Sequence, residues 1–512
     1  MVDNLLADFQ ALTNRLASEG PAGSVEFLLE QMEPQSAVHL RLCAIPHQFD
    51  VEIMQALDPS LDTSRAELYC QEFSKLPVVT FNQDGMALHD KARQHLFQQW
   101  IERPISPEFR TASQRLVDYF DAWATTTKDS ESALKLIRVS WVFHLLGADQ
   151  NRGFNEFQKL CRQKRRQFDL SACEQLIKLV HEYDKVLLPE HAAWLTYHEG
   201  KLAADRCQWK EAEALFKQVL ESEALEPHLQ VMANNRLGII RDENRDYDGA
   251  IQYYQTALDL AKKIPAGNKI MSRIIHDLGA AHRDNGDLEK AETLLTESLR
   301  LATEEGDNSG LAMSCNSLGT LYRRQRENYK AIDSFQQSLD YLKLYGDTYR
   351  PAQVYNNLGI TYRELGDWKM SWKFYDKSLQ IARQVGDKMG QAKTQNNLMT
   401  VYRNLDQNDQ AVTAATDAIS LFAELHDTFN VALTKRNLGK LYRRMKNREA
   451  AVRVLAEAIE EFDRAGEIKE ANNARRDLAS VTQKTRSPGF WFAAGAVIIL
   501  FVLGTYFFFK LV

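Results

Sequence analysis

The sequence predicts a mostly α chain dominated by one repeat solenoid, with a helix–hairpin module before it and a single apolar helix after it. Three observations carry that prediction. A self-similar segment returns every forty residues between 191 and 481. Chain breakers are sparse, with 24 Gly and 12 Pro in 512 residues, while Ala, Leu, Arg, Glu and Gln abound. Near the end, the twenty residues from Phe490 to Phe509 carry no charge. Hydrophobic residues at 44% and charged residues at 26% exclude a uniformly disordered chain. A mean hydropathy of −0.41 excludes a polytopic membrane protein. Lys and Arg number 63 against 69 Asp and Glu, and the net −6 offers nucleic acid no whole-molecule attraction.

Taken in order, residues 1–24 form the first element. Val2, Leu5, Leu6, Phe9, Leu12 and Leu16 fall on one face of an amphipathic helix. No basic end precedes an apolar run, so this is no signal peptide. Residues 25–103 have a different texture. Two helical stretches flank Pro46, DTSRAELYCQEFSKL forms a third, and VVTF and MALHD read as strands joined through Asp84-Gly85. Three helices and a hairpin make a winged helix. With LCAIPHQFD and then Leu88-His89-Asp90, the segment resembles the winged helix that follows the nucleotide-binding domain of STAND-type signalling ATPases. The resemblance implies a nucleotide-sensing histidine and tetratricopeptide repeats downstream. Yet no G-x-x-x-x-G-K-(S/T) loop occurs, and only 24 residues precede the module. Nucleotide binding is therefore not expected, and His89 reads as a structural residue at the hairpin end. As a DNA reader the module is poor: Arg65 and Lys75 on the third helix face Asp62, Glu67 and Glu72.

A helical region follows over 107–188. Its basic run, Arg162-Gln163-Lys164-Arg165-Arg166, fits a solvated helix face or contact with anionic lipid. The six cysteines contain no Cys-x-x-Cys pair, and the twelve histidines no metal-spaced set. Nucleophile, metalloprotease, dinucleotide and kinase signatures are absent too. No cofactor, metal or catalytic role is expected.

Residues 191–481 hold the repeat. NNRLGIIRD, IHDLGAAHRDNGDLEKAE, CNSLGTLYRRQRENYKAI, YNNLGITYRELGDWKMSW, QNNLMTVYRNLDQNDQAV and KRNLGKLYRRMKNREAAV align on Gly238, Gly279, Gly319, Gly359, Met399 and Gly439. After one step of 41, every step is 40. A more divergent unit centres on Gly200, and Ala479 marks a last helix. Each unit joins a helix ending in L-G-x-x-Y to one running through A-x-x-x-(F/L/A), with Gly-Asp at 306–307, 346–347 and 386–387 between units. The pattern resembles the tetratricopeptide repeat, in the longer form of kinesin light chains and Pins-type adaptors. That resemblance implies a right-handed superhelix of about seven units, with first helices lining a concave groove.

Two positions recur without a folding reason. Asn235, Asn316, Asn356 and Asn396 lie three residues before the small residue; Arg283, Arg323, Arg363, Arg403 and Arg443 lie four after it. Seven residues is two turns, so both sets share a face. The family resemblance implies that they point into the groove. Asparagine there can donate to and accept from an extended backbone, and arginine forks suit carboxylates. The expected partner is an extended acidic protein segment. Alternatively, each arginine pairs with an acidic residue of a neighbouring unit and merely orders the solenoid; Asp284 and Glu364 sit close enough in sequence to compete. The lysines of the family's chaperone-tail clamp are missing, which argues against that partner class.

The last element, over 489–510, spans roughly 30 Å as a helix and matches a bilayer core. Phe490 and Phe509 bound the apolar run, and Trp491 and Tyr506 take interfacial places near its ends. Lys484 and Arg486 keep the N-terminal side cytoplasmic. The sequence thus describes a single-pass, tail-anchored scaffold or signalling adaptor with a cytoplasmic body, and a bacterial plasma membrane is favoured. Its partners would be a protein and, through the tail, lipid. A membrane-tethered transcriptional regulator touching DNA through the winged helix is the alternative; a cofactor-free subunit of an ATPase assembly is a third.

Overall fold

The computed structural model describes residues 25–82, 85–101, 104–126, 131–264 and 268–482. The helix expected over 1–24 and the anchor over 489–510, with Phe490, Trp491, Tyr506 and Phe509, lie outside the described residues. Among the described residues no helix is long and apolar enough to cross a membrane. The chain divides into two compact units, residues 1–301 and 302–512.

The first unit begins with helix α1 (25–31), α2 (Pro34–Leu42), α3 (Val51–Leu57) and α4 (Thr63–Phe73). Strands β1 (Val79–Asn82) and β2 (Gly85–Leu88) follow, then α5 (Asp90–Trp100). The hairpin pairs Val79 with Leu88 and Asn82 with Gly85. Phe49 exchanges two backbone hydrogen bonds with Met86, at 2.8 and 3.2 Å, and so adds one extended residue beside β2. Asp50 and Asp62 start α3 and α4 by accepting from the N–H groups of Ile53 and Arg65, each at 2.8 Å. His89, just past β2, is exposed, and its backbone N–H donates to the Val78 carbonyl at 2.7 Å.

Helices α6 (Pro107–Thr126), α7 (Glu131–Ala148), α8 (Gln150–Arg166) and α9 (Leu170–His181) come next. One buried core runs from Val25 through them to Leu202. At its centre Phe97, Phe109, Phe143 and Tyr183 pack ring on ring, and the Tyr183 hydroxyl donates to the Phe143 carbonyl at 2.8 Å. Arg93 and His47 meet on the Glu182 carboxylate at 2.7 and 2.8 Å, which ties residues 25–103 to the residue that ends α9. All six thiols are free.

The repeats then run as helix pairs: α10 (Pro189–Asp205) with α11 (Trp209–Leu220), α12 (Pro227–Glu243) with α13 (Tyr247–Ala261), and α14 (Asn268–Asn285) with α15 (Leu288–Glu304). In the second unit α16 (Asn308–Arg324) pairs with α17 (Asn328–Tyr345), α18 (Pro351–Glu364) with α19 (Trp368–Val385), and α20 (Lys388–Asn404) with α21 (Asn408–Glu424). The last pair is α22 (Thr428–Arg444) with α23 (Arg448–Arg464), closed by α24 (Ile468–Thr482).

The aligned small residue is a socket. A Cβ on Gly238 would lie 2.5 Å from the Tyr254 ring, and one on Gly319 or Gly359 would lie 2.7 or 2.6 Å from Phe335 or Tyr375. Each knob sits sixteen residues on, in the partner helix. At Met399 the sizes are exchanged: residue 415 is alanine, and both are buried in one cluster. The pair conserves volume with the bulk moved across the interface. Between units, Gly346 and Gly386 end their helices in the left-handed conformation, each at φ 74°. The aspartate that follows starts the next helix: Asp387 accepts from the Gly390 N–H at 2.8 Å, and Asp427 from that of Asn430 at 3.0 Å.

Candidate functional site: an arginine face on the first helices

Within the second unit the first helices α16, α18, α20 and α22 lie in repeat order, and α18 packs against both α16 and α20. A position repeated at one place in each helix therefore becomes a row. The arginine row is held in three different ways. Arg323 is engaged: its guanidinium meets Glu364, on the next first helix, at 2.7 Å. At the far end Arg443 donates to the Ser480 hydroxyl at 2.5 Å. Arg363 and Arg403, between them, are half-buried and have no ion pair or side-chain hydrogen bond among the described residues. Burial, then the like charges of Arg444 and Arg363, pull Arg403 below its ordinary range. Arg444 itself is exposed and pairs with Asp406 at 2.7 Å. Among the described residues two cations thus crowd one face with no acid paired to them, which favours a bound anion.

The asparagines do less than their position suggests. The Asn316 side-chain carbonyl accepts from the Asn357 amide at 2.9 Å, and that of Asn356 accepts from Asn397 at 3.0 Å. These bonds stitch one first helix to the next. Asn396 breaks the series, because its Oδ1 is buried and has no partner. It faces the same row as Arg403, seven residues on. The stitch partners Asn357 and Asn397 escaped the sequence reading, although the doublets Asn356-Asn357 and Asn396-Asn397 were visible.

In the first unit the same two positions are filled differently. Asn235 donates to Asp277 at 2.9 Å, and Arg283 closes a fork on Asp284, with contacts of 3.1 and 2.8 Å. Here the acid lies in the same helix; the cross-unit pairing expected as the alternative is found instead at Arg323 and Glu364. Asp242 occupies the arginine place of its own repeat. Burial, then repulsion from Asp284 and Glu243, raises its carboxyl to about 7.

Comparison with known proteins matches residues 228–304, 270–344, 309–384 and 350–424 to one tetratricopeptide repeat family, and residues 431–461 to another. Residues 96–195 match the family of anaphase-promoting complex subunit 5. The Photosystem I assembly protein Ycf3 of Cyanophora paradoxa is 29% identical over 106 residues. That stretch is 21% of this chain and 61% of the relative, so the chain spans less than two thirds of it. Among solved structures, the STAND signal-transduction ATPase with a tetratricopeptide repeat sensor from Pyrococcus horikoshii aligns over 95% of this chain and 66% of that one. The TM-score is 0.54 at 14% identity, a likeness of fold. A Rap conjugation gene regulator of plasmid pLS20, solved in complex with the Phr* peptide, covers 70% of this chain and 97% of that one, with a TM-score of 0.48 and 14% identity. The chain carries tetratricopeptide repeats in a mostly helical solenoid.

Proposed function

We propose that the protein is a membrane-tethered interaction scaffold, whose second unit holds an extended acidic segment of a partner protein along the arginine row. The observation that carries this reading is the pair Arg363 and Arg403, without acidic partners on adjacent stacked helices. Asn396, with its unsatisfied carbonyl, would accept a backbone N–H from the same segment. Arg323 and Arg443 stand ready at the flanks, each able to exchange an internal partner for a ligand carboxylate.

Residues 25–103 would be a winged helix that caps the repeats. Three helices, the hairpin and the Phe49–Met86 bridge support that reading. The tether rests on the uncharged run from Phe490 to Phe509. Confinement at a membrane raises local concentration, so a weak groove suffices for occupancy.

The test is fluorescence anisotropy of a glutamate-rich peptide with the full chain beside Arg363→Glu/Arg403→Glu. Binding should be salt-sensitive and at least about tenfold weaker in the variant, the loss expected for two charge-assisted contacts. Equal affinity for both chains would refute the groove assignment.

A further inference from the structure

Within the second unit the first helices meet in a fixed register, and one junction departs from it. Along α16 and α18 three side-chain bonds join residues 41 apart: Ser309 with Arg350 at 3.0 Å, Asn316 with Asn357 at 2.9 Å, and Arg323 with Glu364 at 2.7 Å. Successive bonds lie seven residues, or two turns, along each helix. The same offset recurs between α18 and α20, where Asn356 meets Asn397 at 3.0 Å. It recurs again between α22 and α24, where Arg436 meets Asp477 at 2.6 Å. Applied to α20 and α22, the register sets Asn396 opposite Asn437 and Arg403 opposite Arg444. Among the described residues no bond joins either couple. The Asn396 carbonyl oxygen is buried without a partner, and the Arg444 charge opposes that of Arg403. Packing follows the same pattern. α16 packs on α18, α18 on α20 and α22 on α24, whereas α20 and α22 meet less closely than any of these.

The two helices cannot close this junction themselves, because neither contains an Asp or a Glu. Several of their cations are served by other elements: Lys388 by Glu424, Lys435 by Glu461, and Arg436 and Lys440 by Asp477. Arg444 has Asp406, in the turn past α20, but through Nη2 and with both side chains exposed. Its other N–H groups can still donate. We propose that the α20–α22 junction anchors the acidic segment: one Asp or Glu carboxylate of the segment bridges Arg403 and Arg444, and the bound segment completes the ladder that the chain leaves open there. The inference rests on the acidic-segment reading and adds to it a place and a consequence. At α16–α18 the chain supplies the bridging anion itself, through Glu364. At α20–α22 the partner supplies it, and occupancy draws the two helices together and stiffens the last repeats.

The test follows amide hydrogen exchange of the full chain over residues 388–404 and 428–444, with and without the glutamate-rich peptide, beside anisotropy. Peptide should slow exchange several-fold in both helices and leave residues 308–324 at their peptide-free rate. Arg444→Glu gives this junction the arrangement that Arg323 and Glu364 have at theirs. Without peptide it should slow exchange in α20 and α22, where a variant that merely disturbs the fold would speed it. It should also weaken peptide binding by about tenfold or more, the size of one charge-assisted contact. Arg403→Gln should weaken binding as much without that protection, and Arg363→Gln, at the bonded junction, should weaken it less. Three results with a parent that binds peptide would overturn the anchor and leave the acidic-segment reading standing: equal affinity in Arg444→Glu, unmoved exchange in α20 and α22, or a loss at Arg363→Gln as large as at Arg403→Gln. A parent that binds no peptide would overturn both.

Discussion

The exchanged pair Met399 and Ala415 permits a sharp test of how the repeats cohere. Elsewhere the first helix carries glycine and the second a ring or, opposite Gly279 and Gly439, a leucine, and a Cβ on Gly319 would fall 2.7 Å from Phe335. Ala415→Phe alone should drive that ring into Met399. Overpacking of this kind costs about 1–3 kcal/mol. Met399→Gly alone removes a side chain only 2% exposed. Its loss costs about 2–5 kcal/mol through transfer and cavity, and glycine within a helix costs about 1 kcal/mol more. The double variant rebuilds the knob and socket found at 319 and 335. It should lie within about 2 kcal/mol of the parent, so the two changes couple by at least about 2 kcal/mol. Repeat arrays do not unfold as one step. The measurement is therefore urea unfolding followed by circular dichroism, together with amide hydrogen exchange over residues 388–424, which α20 and α21 span. Additive losses would show that volume at this interface is not shared, and the socket argument would fail at every repeat.

Three further outcomes follow from single side chains. Asp242→Asn should leave stability unchanged near pH 4 and raise it by about 1–2 kcal/mol above pH 7. The folded carboxyl, raised from an ordinary value of 3.8 to about 7, holds a proton that the unfolded chain has released, so native stability falls across that window; thermal melts over a pH series read the effect. Glu364→Gln releases Arg323 from its 2.7 Å ion pair. It should tighten glutamate-rich peptide binding several-fold while moving stability by less than about 1 kcal/mol, the usual worth of a partly exposed pair; anisotropy and urea midpoints check both. His426 stands at φ 56°, where the equivalent turns at Gly346 and Gly386 use glycine. His426→Gly should therefore stabilise the chain by about 0.5–1 kcal/mol, read from the urea midpoint.

The repeats were legible because their causes are local and recur. The L-G-x-x-Y period, the Gly-Asp helix stops and the small residue at Gly238 or Gly359 each serve one backbone or packing requirement. The apolar period alone then dictates how the helices pair. The arginine row could be read as a row for the same reason, since seven residues is two turns of any helix.

Which arginines remain available is a different kind of fact. Arg323 and Arg363 carry the same motif, yet a glutamate one repeat away captures the first and, among the described residues, nothing captures the second. Asn316 and Asn356 look like ligand hooks in sequence, but their carbonyls are consumed by Asn357 and Asn397, forty-one residues on. Tyr197 meets Lys201 of its own helix and Arg236 of α12, residues that share no motif. The sequence by itself determined the helices and their pairing, because those depend on periodicity and on residues close along the chain. Only the tertiary structure decided where charge is left unpaired. That depends on how far each side chain reaches across to a neighbouring helix, and on whether the acid it meets there is already held.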